Sequence, residues 1–200
     1  MFCADLSQGE SKPRPLCEEE RILLHKVARE AIEYALNTGR PPTVDTPRYP
    51  PPLREPRASF VTLHRHGELR GCMGNLAATR PLVEDVANNA YNAAFRDPRF
   101  PPLQASELAD LDIHLSLLTP AVPMKFTSEE DLLRQLRPGV DGLILQEGPL
   151  CGTFLPSVWE SLPDCRDFLC HLKTKAGLPM DYWSPTIKVS CYTAESVEEK

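Results

Sequence analysis

Residues 58–74, ASFVTLHRHGELRGCMG, set β-branched and apolar residues on both sides of His66-Gly67 and read as a β-hairpin. With His66 and Gly67 in the turn, pairing outward places Leu63 opposite Arg70 and Val61 opposite Cys72. Side chains two apart on a strand share a face. Arg70 and Cys72 then emerge together, with α-carbons about 6.6 Å apart, and Phe60, Leu69 and Met73 occupy the other face.

The flanking sequence supplies a layer to cover such a sheet. Residues 18–37 (EEERILLHKVAREAIEYALN) carry Ile22, Leu23, Val27, Ile32 and Leu36 near helical period. They open with three acids that suit the positive end of the helix dipole, and Gly39 marks the end. Seven prolines in residues 41–57 predict an extended, polyproline-like connector, or a strip that binds a partner. Residues 80–95 (RPLVEDVANNAYNAAF) read as a second helix, with Thr79 as N-cap and Leu82, Val83, Val86, Ala90 and Ala94 on its apolar side.

Residues 111–118 (LDIHLSLL) alternate as a half-buried strand. Further on, SEEDLLRQL reads as a short helix and DGLILQEGPLCGTFLP as a second hairpin about Glu147-Gly148. DCRDFLCHLKTKAGL is a helix closed near Gly177, and TIKVSCYT is a last strand. Hairpins and separated helices, in place of strict β-α-β alternation, point to an α+β fold: an antiparallel sheet with flanking helices. A P-loop and a G-x-G-x-x-G fingerprint are both absent, which argues against a dinucleotide-binding domain.

A chain of 200 residues with 42% hydrophobic content suits one domain, or one domain with a small lobe. A net charge of −6 argues against nucleic-acid binding driven by phosphate attraction. With no signal-peptide pattern at the start and no apolar run near the roughly 20 residues that cross a bilayer, a soluble, cytoplasmic protein without a membrane segment is expected. Seven cysteines without C-x-x-C spacing suggest free thiols. Cys165, Cys170 and His171 sit on different faces of a helix, so no structural metal is expected.

The loop around Cys72 supports two readings. In one, Gly71 and Gly74 let backbone amides approach a ligand, an anion above all, and the guanidinium of Arg70 favours a thiolate nucleophile at Cys72. In the other, the glycines only permit a sharp turn and close packing, and Cys72 is a small hydrophobe. A thiol nucleophile needs a histidine within reach. In this register His64 falls on the face opposite Cys72, His66 sits at the turn, and His114 depends on the sheet order. His25 and His171 read as surface or packing residues.

The stretches LRGCMGNL, AAFRDPRFPPL, LDIHLSLLTP, RPGVDGLIL, GTFLPSVW and FLCHLKTKAGLP, in that order, resemble the AMMECR family, from about Glu18 to Tyr192. The resemblance is to prokaryotic members of the AmmeMemoRadiSam-system protein A type, without the long N-terminal extension of animal forms. It implies a residue 1–17 tail, a single domain over 18–194 and a 195–200 tail. That domain has two unequal lobes, the larger built from both its N- and C-terminal parts.

The family's motifs fall on Leu69, Arg70, Gly71, Cys72 and Gly74, on Asp97 to Pro101, and on Phe154 to Pro156. The three segments are expected to line one cleft. Cys72 is the candidate catalytic residue there, and Arg70, Gly71, Gly74, Asn75, Arg99 and Phe154 are ligand contacts. Asp97 and Arg99 also suit a purely bracing role. Met73 replaces the family's usual isoleucine, and Cys151 and Cys191 depart from the pattern. The resemblance implies no reaction and no cofactor. It suggests binding or modification of a small molecule at the Arg-Gly-Cys loop, or a non-catalytic partnership with a Memo-type protein or a radical SAM enzyme.

Overall fold

The computed structural model describes residues 14–198. Readings that fall on residues 1–13, Cys3 among them, and on 199–200 lie outside the described residues. The chain divides into two compact units, residues 14–118 with 195–198, and residues 119–194.

In the first unit, helix α1 (Glu18–Thr38) starts where the Glu20 carboxylate accepts the Cys17 N–H at 2.9 Å, and it ends on Gly39 at φ 69°. Its buried face carries Leu24, Val27, Ala28, Ala31, Ile32 and Ala35. Ile22 is not on that face and stands 61% exposed, because Leu24 takes the core position in that turn. His25 is a packing residue, its Nε2 2.9 Å from the Val197 carbonyl.

The proline-rich connector is not wholly extended: it holds a 3-10 turn at Thr46–Arg48 and a short helix, α2 (Pro51–Arg54). Proline suits the first turn of each, where no amide donor is needed, and Leu53 drops into the core.

Strands β1 (Ser59–Arg65) and β2 (Glu68–Gly74) turn at His66 and Gly67, both left-handed at φ 52° and 82°, as the hairpin reading expects. The register differs. A bulge leaves Arg70 unpaired between Leu69, opposite His64, and Gly71, opposite Leu63. Beyond it Cys72 faces Thr62, and Met73 faces Val61.

Helix α3 (Leu82–Phe95) buries all five predicted apolar residues. Its N-cap is Pro81 and not Thr79, and the Leu82 amide is satisfied by the Glu55 carbonyl. Strand β3 (Leu111–Leu118) pairs antiparallel with β1.

In the second unit, β4 (Val122–Pro123), β5 (Gly142–Glu147), β6 (Leu150–Phe154) and β7 (Lys188–Tyr192) form a sheet in the order β4-β7-β5-β6. Helix α4 (Glu129–Gln135) is capped by Ser128, and α5 (Cys165–Ala176) by Asp164 and Gly177. The β5–β6 turn falls on Gly148-Pro149, one residue later than expected, since Glu147 itself pairs with Leu150. Leu143, Leu145 and Val189 pack with Phe168, Leu169 and Leu172, and Trp159 stacks on Phe168 at 3.7 Å.

The chain then returns to the first unit in β8 (Ala194–Glu198), completing the sheet β2-β1-β3-β8. Residues 195–198, expected as tail, are strand because Val197 buries its side chain in this core and Glu195 pairs with Arg57 and Arg21. The architecture is α+β, with two four-stranded antiparallel sheets. Cys17, Cys72, Cys165, Cys170 and Cys191 are free thiols. Among the described residues no helix is long and apolar enough to cross a membrane.

Candidate functional site

Strand β2 is the edge of its sheet, so backbone groups turned away from β1 need other partners. At Cys72 they have them. Its N–H donates to Asp97 Oδ2 at 2.9 Å, and its carbonyl accepts from Arg99 Nη2 at 3.4 Å. With both groups directed to the edge, Cys72 and Thr62 form the close type of antiparallel pair, which brings side chains together. The Thr62 hydroxyl accordingly donates to the Cys72 sulfur at 3.3 Å. Cys72 itself is only half-buried.

Asp97 and Arg99 act as one unit. The Arg99 guanidinium donates to Oδ1 at 2.9 Å and to Oδ2 at 2.6 Å, and the Arg99 amide adds a third bond at 3.1 Å. The Arg99 bonds hold the Asp97 carboxyl well below the usual carboxylate range, with the Cys72 amide contributing. The pair thus offers the strand edge an acceptor for its N–H and a donor for its C=O, as a neighbouring strand would. Asp97 in turn raises the Arg99 pKa, chiefly through the side-chain bonds between them.

Arg70 is engaged elsewhere. Its Nε and Nη2 grip Glu107 at 2.8 and 3.0 Å, and Nη2 also reaches the Pro101 carbonyl at 3.0 Å. This clamp holds the Glu107 carboxyl at about 2. The Phe100 ring is near both cations, 5.9 Å from Arg70 Cζ and 5.4 Å from Arg99 Cζ.

The glycines make room for protein. A Cβ on Gly71 would sit 2.2 Å from the Ala93 carbonyl oxygen of α3. On Gly74 it would sit 2.4 Å from the Phe60 ring, which lies over that glycine. Asn75 donates its amide to Asp85 at 2.7 Å. Asp85 is buried and also accepts from the Ser59 amide and hydroxyl and from Asn89, and burial raises its pKa.

The AMMECR1 family model matches residues 25–197. This chain belongs to the AMMECR1 family. Among its relatives, a protein of Methanothermobacter thermautotrophicus is 38% identical over 94% of this chain and 98% of its own length. Protein MJ0810 of Methanocaldococcus jannaschii is 36% identical over 93% of each chain. The crystal structure of the uncharacterized protein PH0010 from Pyrococcus horikoshii is similar at a TM-score of 0.84, with 39% identity, covering 92% of this chain and 94% of that one.

In this AMMECR1-family chain the first unit brings together Arg70, Gly71, Cys72, Gly74, Asn75 and Arg99 along β2 and the segments that border it. Phe154 belongs to the second unit, where it packs edge-on against Phe168 at 5.2 Å with Lys175 Nζ 4.9 Å from its ring. Sequence reasoning missed Thr62 and misplaced His64. The bulge puts His64, Thr62 and Cys72 on one face, and His114 joins them opposite Thr62.

Proposed function

We propose that the face of β1 and β2 around Cys72 is a small-molecule site in which the Cys72 thiol engages the ligand. The observation that supports this is a cysteine whose N–H, C=O and sulfur are each held by a different side chain while the residue stays half-exposed. A group fixed by its neighbours and still reachable is preorganised for chemistry, whereas a packing cysteine needs only to be enclosed. Phe60 beside Gly74 supplies an apolar wall, and Thr62, His64 and His114 supply polar contacts on the same face.

The test is site-resolved alkylation of the native protein with iodoacetamide, read by peptide mass spectrometry, with exposed Cys17 as internal reference. Cys72 is expected to react faster than Cys17 despite its lower exposure. A Cys72 that labels only after unfolding would sink the reading. It would leave the competing one, a non-catalytic partner of a Memo-type protein or radical SAM enzyme, to be tested by co-purification.

A further inference from the structure

We infer that His114 accepts the Cys72 proton through the hydroxyl of Thr62. This rests on the reading of Cys72 as a reactive thiol and adds the route by which it is activated. Three neighbouring strands, β2, β1 and β3, carry Cys72, Thr62 and His114 directly opposite one another. Strands lie about 4.8 Å apart, so the Cys72 and His114 backbones stand roughly 10 Å apart, too far for a direct bond. One side chain separates them, and it carries a hydroxyl already 3.3 Å from the sulfur. Side chains directly opposite across a strand pair have β-carbons about 5 Å apart, within reach of an imidazole and a hydroxyl.

The bulge at Arg70 creates this row. In an unbroken hairpin Cys72 would face Val61, whose side chain is wholly buried in the core, and Thr62 would face another residue. The extra residue shifts the thiol by one position into line with the hydroxyl and the imidazole. His64, two residues from Thr62 on the same face, meets His114 edge-on with ring centroids 4.9 Å apart and so restrains the acceptor ring. Burial, and to a smaller degree His114, lowers the His64 pKa.

The step moves two protons. The S–H proton passes to Thr62 Oγ1 as the hydroxyl proton of Thr62 passes to a ring nitrogen of His114. A thiolate, an intact hydroxyl and an imidazolium result, with no change in net charge. Afterwards the Thr62 hydroxyl donates to the thiolate across the 3.3 Å that separates oxygen and sulfur.

The experiment measures the Cys72 alkylation rate relative to Cys17 in wild type, Thr62→Val, Thr62→Ser and His114→Ala, the last with and without free imidazole. Thr62→Val and His114→Ala are expected to slow Cys72 roughly tenfold or more, below the 10²–10⁴ of a base acting directly. Thr62→Ser should retain most of the rate, and imidazole should restore His114→Ala, recoveries that a merely structural role would not produce. If wild-type Cys72 outpaces Cys17 but Thr62→Val and His114→Ala react at the wild-type rate, or imidazole leaves His114→Ala slow, the proton route fails and the reactive thiol stands. If wild-type Cys72 does not outpace Cys17, both fail.

Discussion

Replacing Gly71 by alanine tests how tightly β2 and α3 are joined beneath the candidate site. The new Cβ would lie 2.2 Å from the Ala93 carbonyl oxygen and 3.1 Å from its carbonyl carbon. Ordinary contact needs about 3.5 Å, so the elements must part by roughly 1 Å. Both colliding groups are backbone, and no rotamer change relieves them. Helix α3 is pinned by Leu82, Val83, Val86 and Ala90, all fully buried, so lifting it disturbs the whole interface. Overpacking of this kind costs about 3 kcal/mol, the upper part of its usual range. For a chain of this length that lowers Tm by about 6–12 °C. Gly67→Ala is the control: its φ of 82° imposes backbone strain of about 1–2 kcal/mol, but no atom lies within 4 Å of the new methyl. Urea denaturation followed by circular dichroism, with Tm measured alongside, gives both values. A Gly71→Ala protein no less stable than Gly67→Ala would refute the reasoning.

Two further outcomes follow from the charged groups. Glu107 is held at about 2 against an ordinary value of 4.5, so its bonds to Arg70 contribute stability that is present above the ordinary value and lost as pH falls toward 2. Glu107→Gln should therefore lose less of its urea midpoint between about pH 6 and pH 3 than wild type does; equal losses would show that this pair carries no acid sensitivity. Asp85→Ala strips the acceptor from the Ser59 amide and hydroxyl and from the Asn75 and Asn89 amides. Buried donors left unpaired cost about 1–3 kcal/mol each, so a loss above about 3 kcal/mol is expected in urea titration, and one below about 1 kcal/mol would contradict the buried network.

The helices and turns were legible because their causes are local. Gly39 and Gly177 end helices by adopting left-handed backbone, the three acids of α1 mark its start, and His66-Gly67 forms the turn the hairpin reading placed there. Alternation in β3 showed its buried face directly, with Leu111, Ile113, Leu115 and Leu117 all in the core. What failed locally had a nonlocal cause. Pro81 displaced Thr79 as N-cap because the Glu55 carbonyl, remote in sequence, satisfies the Leu82 amide. Ile22 fits the helical period as well as Leu24 does, and only the position of the sheet decides between them.

The candidate site shows the same division more sharply. Cys72, Gly71 and Asp97 are visible as motif residues, but their partners depend on one inserted residue. Period-two alternation counted from His66-Gly67 is sound only while the ladder is unbroken, and it assigned Arg70 and His64 to the wrong relations with the thiol. The bulge turns Arg70 toward Glu107, and Arg99, brought to the strand edge by Asp97, becomes the cation at Cys72. If Gly71 must face α3 while Leu63 remains in the core, both lie on one face of the sheet, which an unbroken hairpin about His66-Gly67 does not allow. Pairing them leaves one residue too many before the turn. Glycine needed for a helix's close approach thus fixes the register of β2, and the register determines which side chains meet the sulfur.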